Sequence, residues 1–458
     1  MRRFTKHIAV IGSVIVFAVA LAGCGGGNQV EQTPPQATDA TETVQGESEA
    51  QDIRADLTLW TYPVGGWGDK ETVDALIASF NAVYPNITIA VEYVDYKTGD
   101  EEVNAAIEAN RAPDLILEGP ERLVANWGAR GLMVDLSNLF ETESSIDIYA
   151  NVVNACRAPD GAYYEYPLCM TAHCMAINEK LFEEAGALQY LDTDTHTWTT
   201  ENFFKAVQAL YDNGTEQAGA IFCAGQGGDQ GTRALINNLY GGHYTTADHT
   251  AYTVDEAQNI QALQALLAQD GIYFDETLVG GDEQIAFREG KLAMAFCWNV
   301  SAQNDTAAGN EAGKTNDGST IIPMLFPSTD GTSTQLCGGI WGFGVFDNGD
   351  ANKIEAAKCF IDFMCNDPEQ VKENVRQSGY FSVHANVTGI YAGTEFEETM
   401  NTFTTYFMPA MGDYYQVAPG WAEARTEWWN MLQRIKQSGD VEAEVATFTK
   451  NISAVTAK

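Results

Sequence analysis

Apolar and polar residues alternate over residues 57–61, the pattern of a strand with one buried face. Residues 71–80 instead repeat their apolar side chains with helical spacing, at Val73, Leu76, Ile77 and Phe80. Residues 87–94 indicate a second strand, residues 100–110 a short helix and residues 115–117 a third strand. Strand, helix, strand, helix and strand at this spacing predict a parallel α/β sheet with right-handed crossovers.

A second α/β region begins after Tyr166-Pro167. The later pattern predicts helices over residues 199–210, 254–269, 284–289 and 351–365, strands over 292–298 and 338–346, a loop over 302–319 and a helical, aromatic-rich end over 397–437. Roughly 400 residues exceed what one hydrophobic core supports, so two lobes are expected.

The N-terminus carries a basic start followed by an apolar run over residues 8–22, which is typical of a secretory signal peptide. Leu21-Ala22-Gly23-Cys24 resembles the lipobox of bacterial lipoproteins, in which the cysteine is lipidated and becomes the new N-terminus. The alternative is an ordinary cleaved signal with a chance cysteine. We predict a signal peptide over residues 1–23, lipidation of Cys24 and a flexible, polar tether over residues 24–54.

Charge narrows the range of partners. Without residues 1–23 the chain has 22 basic and 63 acidic residues, a formal charge of −41. So acidic a surface repels phosphate backbones and anionic headgroups, and no cluster of Lys and Arg relieves it. Nucleic-acid binding is therefore excluded, whereas 45% apolar residues allow a sizeable core.

The cysteines predict no cofactor. Eight remain besides Cys24, and none forms a CxxC pair. Burial as small apolar side chains is favoured, although export permits disulfides. Cys169, His173 and Cys174 provide only three possible zinc ligands at unusual spacing, so neither a metal site nor any other cofactor is predicted.

Several segments follow one another in a recognisable order: Leu59-Trp60, Ala112-Pro113-Asp114, Gly131-Leu-Met-Val-Asp135-Leu, Tyr166-Pro167, residues 176–186, residues 287–294 and residues 356–363. Their order and spacing resemble the extracellular solute-binding proteins of ABC importers, family 1, in the branch that includes maltodextrin-binding protein. The resemblance covers nearly everything from residue 57 to residue 435.

That resemblance implies a two-lobed periplasmic-binding-protein fold of the type II kind, with a mainly parallel sheet flanked by helices in each lobe and a hinge between them. Lobe 1 would use residues 55–170 and 345–390, and lobe 2 residues 171–344 and 391–458. The ligand would lie in the cleft. This agrees with the rule that open α/β sheets bind ligands beyond the carboxyl ends of their strands.

Loops that follow the first and third strands supply the first candidate ligand-binding residues. Tyr62 and Trp67 follow strand one among glycines, although a packed turn is the alternative reading. Set against maltodextrin-binding protein, Glu121 and Arg122 fall on an acidic–basic pair that binds sugar hydroxyls, and Glu118 replaces a stacking tryptophan. A solvated Glu-Arg pair is the alternative there.

The remaining candidates come mainly from tryptophans. In the same resemblance, Trp298 and Trp421 match tryptophans that stack on sugar rings, and Arg425 matches the arginine that follows the second of them. Trp341 is ambiguous between the cleft and the sheet core. Further candidates lie at the first crossover and after the 351–365 helix: Thr171, His173, Tyr380 and His384.

These observations predict a non-catalytic, lipid-anchored binding protein of an ABC importer, on the extracellular face of the cell membrane or on the periplasmic side where the host has an outer membrane. It would be a monomer, capture a carbohydrate, with an oligosaccharide favoured, and deliver it to the permease subunits. A glycerol phosphate or another small anionic polyol is the alternative ligand. A surface glycoside hydrolase is less favoured, because Glu118 and Glu121 lie on one loop whereas retaining enzymes flank the scissile bond with carboxyls about 5–5.5 Å apart.

Overall fold

The computed structural model describes residues 53–96, 98–225, 229–412 and 417–456. The predicted signal peptide, Cys24 and nearly all of the predicted tether lie outside these residues. The strands are β1 Ala55–Thr61, β2 Ile87–Tyr93, β3 Leu115–Glu118, β4 Tyr166–Ala172, β5 Cys174–Asn178, β6 Gly219–Phe222, β7 Ile272–Asp275, β8 Met294–Trp298, β9 Ile321–Met324, β10 Gly338–Val345 and β11 Phe381–Ser382.

Helices flank these strands, and several begin at a side-chain cap, as α1 does where Asp69 accepts a hydrogen bond from the Thr72 N–H. The α-helices are α1 Lys70–Val83, α2 Gly99–Glu108, α3 Pro120–Arg122, α4 Ala150–Ala155, α5 Glu179–Glu184, α6 Thr200–Asp212, α7 Asp229–Tyr240, α8 Ala257–Ala268, α9 Gly280–Arg288, α10 Val300–Asn304, α11 Ala351–Asn366, α12 Pro368–Ser378, α13 Glu397–Thr402, α14 Trp421–Ser438 and α15 Val441–Thr456.

The first lobe is built on a six-stranded sheet with the order β11-β4-β10-β3-β1-β2. Strand β1 pairs in parallel with both β2 and β3, which confirms the parallel sheet predicted for the first three strands. Strand β10 runs antiparallel to both β3 and β4, and β11 runs antiparallel to β4. The sheet is therefore mixed rather than mainly parallel.

The second lobe contains a three-stranded antiparallel sheet in the order β8-β5-β9 and a parallel pair, β6 and β7. The two-lobed α/β fold is confirmed, but the expectation of a mainly parallel sheet in each lobe is wrong. Strands that return from the other lobe enter each sheet against the direction of their neighbours.

The hinge is a short ladder. Only His173 separates β4 in the first lobe from β5 in the second, and its N–H donates to the carbonyl of Cys337 at 2.8 Å. Gly338 then pairs with Ala172, so β10 belongs to the first sheet from its first residue. The chain therefore crosses between the lobes before residue 338 rather than at the predicted boundary after residue 344.

The aromatic-rich C-terminal region is less regular than predicted. The helix expected over residues 397–437 is interrupted: α13 runs into a π-helical turn, Phe403–Phe407, and α14 begins only at Trp421. Residues 408–410 form a 3-10 turn that includes a proline, which cannot continue a helix. Trp421 therefore lies at a helix N-terminus, one turn before Arg425.

The eight described cysteines are all free thiols, and only Cys359 is partly exposed, which confirms the prediction of buried apolar side chains. Within the described ranges, no three His, Cys, Asp or Glu side chains come together as a metal site would require. Among the same residues, no helix has both the length and the apolar character needed to cross a bilayer.

One buried acid is left unpaired in the first lobe. Glu165 directly precedes β4, is fully buried, and neither carboxyl oxygen has a hydrogen-bond partner among the described residues. Burial raises the pKa of Glu165 well above its usual range, and the nearby charges of Glu121 and Glu118 raise it further. The native state therefore holds Glu165 protonated where the unfolded chain would ionise it.

We predict that this acid destabilises the fold as the pH rises. Above the usual carboxyl pKa, near 4.3, the native state binds one more proton than the unfolded state, so stability falls with increasing pH. Glu165→Gln should raise the free energy of unfolding by about 1–3 kcal/mol at pH 8 and change it little at pH 4, as measured by urea denaturation. Glu395→Gln, at an exposed position, is the control; an equal gain at both pH values would contradict the prediction.

Candidate functional site

An arginine just beyond the carboxyl end of β3 is the centre of a charge cluster in the first lobe. The Arg122 guanidinium contacts Asp100 at 2.5 Å, Glu118 at 3.1 Å and Glu121 at 3.4 Å. It also lies over the Tyr62 ring, 5.0 Å from its centroid, and the Tyr62 hydroxyl donates to Asp100 at 2.7 Å. Three carboxylates therefore surround one cation.

Burial and ion pairing shift the pKa values of these acids in opposite directions. Glu118 is fully buried, and this burial raises its pKa; Arg122 counteracts the effect and Glu121 adds to it. Burial also raises the pKa of Asp100, but the charge and hydrogen bond of Arg122 outweigh it, so that pKa lies below its usual value. These three ion pairs of Arg122 are all with acids of its own lobe.

A second charge cluster forms the opposite face, in the second lobe. Asp229, at the start of α7, accepts hydrogen bonds from Arg233 one turn later and from Arg425 in α14. The Arg233 guanidinium lies 4.9 Å from the Trp421 ring centroid. Burial would raise the pKa of Asp229, but the two arginines hold it well below its usual value. This cluster carries one excess positive charge.

A small cavity of about 40 Å³ separates the two clusters at the hinge. The first lobe contributes Glu121 and Trp341, and the second contributes Gln230, Arg233, Trp421 and Arg425. His173 of the hinge lines the same cavity. Its Nε2 lies 3.2 Å from the Gln230 amide nitrogen, and burial lowers the pKa of its ring to about 4, so the ring is neutral near pH 7.

A larger cavity, about 490 Å³, also opens between the lobes. Both lobes line it: Gly65, Gly66, Arg376 and Tyr380 from the first, and Gln284, Asn299, Ser301, Asn304 and Asp305 from the second. Tyr391 also lines it; its hydroxyl donates to the Tyr380 carbonyl at 2.6 Å, so it packs with the first lobe and not with the second, where residues 391–458 were expected. Tyr380 stacks on Trp341 at 4.8 Å, so this aromatic pair contributes one ring to each cavity. Ser301 of the second lobe and Tyr380 of the first lobe both line this cavity.

Close backbone contact shapes one wall of the larger cavity. Gly65 has a φ of 52°, and a Cβ built there would lie 1.8 Å from the Ser378 carbonyl oxygen. Only glycine lets this turn lie so close to the end of α12.

The structure brings five candidate residues together around the smaller cavity: Glu121, His173, Trp341, Trp421 and Arg425. Tyr62, Trp67, Glu118, Arg122 and Trp298 line neither cavity. All five are buried, and their ligand-binding role stays a prediction.

Core packing accounts for the two tryptophans among them. Trp67 packs edge-on against Phe343, with ring centroids 5.2 Å apart. The Trp298 indole N–H donates to Gln303 at 2.8 Å, and Arg288 covers its ring at 5.3 Å. For Trp67 the packed-turn alternative is the one that the structure favours.

Sequence reasoning missed most of the residues that line the larger cavity. Asn299 and Ser301 lie just beyond β8, so the rule that strand ends carry ligand-binding residues could have found them. Asp229 and Arg233 gave no comparable signal, because only the packing of α14 against α7 brings Arg425 to them.

Comparison with known proteins decides the family. The family model described as bacterial extracellular solute-binding protein matches residues 75–389, more than half of the chain. The chain belongs to this family. This solute-binding protein is 24% identical over 220 residues to an uncharacterized ABC transporter extracellular-binding protein of Pyrococcus horikoshii, covering 46% of this chain and 44% of that relative. The match thus spans less than half of the relative's length.

Solved structures agree on the fold of this solute-binding protein. The GacH receptor of Streptomyces glaucescens, described with acarbose, has a TM-score of 0.70 at 16% identity and covers 88% of this chain and 99% of its own. A Listeria monocytogenes ABC substrate-binding protein in complex with cycloalternan has a TM-score of 0.68 at 16% identity, with the same shares covered. Maltose-bound MalE3 of T. maritima has a TM-score of 0.68 at 14% identity, covering 87% and 99%.

We predict that the two kinds of tryptophan differ sharply in their contribution to stability. Trp298→Ala should cost about 3–5 kcal/mol because it empties a fully buried site. Trp341→Ala should cost less than about 2 kcal/mol, since its ring is half-buried and lines a cavity. Urea denaturation of the two variants checks this, and equal losses would contradict the placement of Trp341 at the cleft.

Proposed function

We propose that this protein captures a carbohydrate between its lobes and delivers it to the permease of an ABC importer. The observation that carries the proposal is the 490 Å³ cavity, which both lobes line with amides, hydroxyls and tyrosines. Amides and hydroxyls both donate and accept hydrogen bonds, as sugar hydroxyls require. The volume is typical of small-molecule sites.

Ring faces add to this recognition. Tyr380 and Tyr391 line the larger cavity, and Trp341 and Trp421 line the smaller one. Aromatic faces pack on the apolar C–H face of a sugar ring and bury a large area. The larger cavity has room for a sugar unit, whereas the smaller one, at about 40 Å³, would have to widen by lobe opening to admit a further unit. The acarbose, cycloalternan and maltose complexes of the structural neighbours support this ligand class.

Capture would use the hinge at His173. A ligand that touches both lobes makes its full set of contacts only when they close, and it shifts the population by that difference in affinity. Its partners would be the permease subunits, to which the closed form delivers its cargo.

We further propose that Cys24 is lipidated and holds the mature chain, as a monomer, on the extracellular face of the cell membrane. The support is the lipobox-like sequence, which lies outside the described residues, and the extracellular solute-binding family. Two or more acyl chains would anchor the protein stably.

A small anionic polyol, such as a glycerol phosphate, is the second candidate. The excess positive charge of the Asp229 cluster favours it, because Arg233 and Arg425 both line the smaller cavity. Arg122 disfavours it, since three carboxylates already surround that guanidinium. Competition by inorganic phosphate would separate the two ligand classes.

We propose no catalytic role. Glu118 and Glu121 both contact Arg122, an arrangement that suits charge neutralisation better than an acid and a nucleophile on opposite sides of a glycosidic bond. Release of reducing sugar from oligosaccharides would contradict this.

We predict that at least one sugar raises the melting temperature of the wild-type protein. The panel consists of maltose, maltotriose, acarbose, tagatose and ribitol. A ligand that binds only the native state stabilises it by about 2.7 kcal/mol at a hundredfold excess over Kd, so the melting temperature rises. Ser301→Trp should abolish the shift by filling the larger cavity. Ser79→Trp, at an exposed position on α1, is the matched control and should retain it.

A flat response to the whole panel, or a full shift in the Ser301→Trp variant, would count against the proposal. The first result rejects these sugars as ligands, and the second rejects the larger cavity as their site.

A further inference from the structure

We propose that Asp229 is a positioning residue. It orients the Arg425 guanidinium towards the cleft and, through Arg233, supports the indole ring of Trp421. The effect of Asp229 on ligand affinity rests on the proposed function, whereas its effect on the orientation of Arg425 does not. Nothing in the sequence singles out Asp229.

Asp229 is placed to act through other residues rather than on a ligand. It is 2% exposed and lines neither cavity, while its neighbours Gln230, Arg233 and Arg425 all line the smaller one. Both carboxylate oxygens accept hydrogen bonds from Arg425, and one of them also accepts from Arg233. Both oxygens of the carboxylate are therefore fully used as hydrogen-bond acceptors.

The contact with Arg425 sets the direction of that side chain. Nε lies 3.1 Å from both carboxylate oxygens, and Nη2 lies 2.8 Å from Oδ1. This side-on arrangement uses one edge of the planar fork. Nη1 has no hydrogen-bond partner among the described residues, so its donors remain for the cavity that Arg425 lines.

The contact with Arg233 supports the indole. Arg233 lies one helical turn after Asp229 and is almost fully buried, with its guanidinium 4.9 Å from the Trp421 ring centroid and 5.3 Å from that of Tyr244. Trp421 and Tyr244 meet edge to face at 5.7 Å. One carboxylate thus fixes both an arginine and the surface on which a tryptophan rests.

Removal of the carboxylate would take away the negative charge that holds the almost fully buried Arg233 and the partly buried Arg425 side by side. Asn in its place accepts at one oxygen only and turns an N–H₂ donor towards the guanidinium groups. Arg425 would then rotate away from Arg233, and its donors would lose their orientation towards the cavity.

The first experiment needs no sugar. The Arg425 Nε–H signal is assigned in ¹⁵N NMR spectra of the whole chain by its loss in Arg425→Gln. In Asp229→Asn its exchange with water should accelerate at least tenfold. Asp74→Asn, which breaks the exposed Lys70–Asp74 pair, is the matched control and should leave the signal unchanged. An unchanged rate in Asp229→Asn would overturn the proposal.

The second experiment measures coupling in binding, with the panel sugar that shifts the wild-type melting temperature most. Asp229→Asn and Arg425→Gln should each weaken its Kd at least tenfold by calorimetry, and the double variant should be no more than threefold weaker than Arg425→Gln alone. If the fold losses in Kd of the two single variants multiply in the double variant, Asp229 does not act through Arg425, and the proposal is overturned.

A variant with a smaller change guards against failure to fold. Asp229→Glu keeps the charge but moves the carboxylate by one methylene, so it should bind with an intermediate Kd and show an intermediate Nε–H exchange rate. Wild-type values in this variant would contradict a positioning role. If no panel sugar binds the wild type, the carbohydrate proposal fails while the NMR result still decides the role of Asp229.

Discussion

A charge that leaves water must be paired where it lies, and in this protein each buried charge at the cleft is paired inside its own lobe. Arg122 is held by acids of the first lobe, and Asp229 by arginines of the second. None of the ion pairs between described residues joins one lobe to the other. The lobes can therefore separate without leaving a buried charge unpaired, as a hinged binding protein requires.

What does cross the cleft is weaker and more adaptable. The Gln230–His173 contact at the hinge and the Ser301 and Tyr380 side chains at the larger cavity are neutral, so water or a ligand can replace their contacts at small cost. Opposite excess charges on the two walls add a longer-range attraction; Arg425 even contributes to lowering the pKa of Asp100 on the facing lobe. A ligand placed between the walls would meet acceptors on one side and donors on the other.

Sequence patterns predicted much of the framework and part of the site. The first three strands, α1 and α6 form where apolar spacing and caps indicated them, and Glu121, Trp341, Trp421 and Arg425 do meet at one cavity. Trp298 shows where the same reasoning loses force. A tryptophan at a strand end can stack on a ligand or pack in the core, and the deciding partners, Gln303 and Arg288, follow and precede it on separate elements.

The sequence by itself determined the fold class, because periodic apolar residues and helix caps act locally and leave a direct mark on the chain. Tertiary structure alone decided the direction of the returning strands, the burial of Glu118 and the joining of Asp229 to Arg425, which lies 196 positions further along the chain. Such pairings depend on how helices from distant segments pack, and desolvation then selects which charges can remain. No local pattern records that selection.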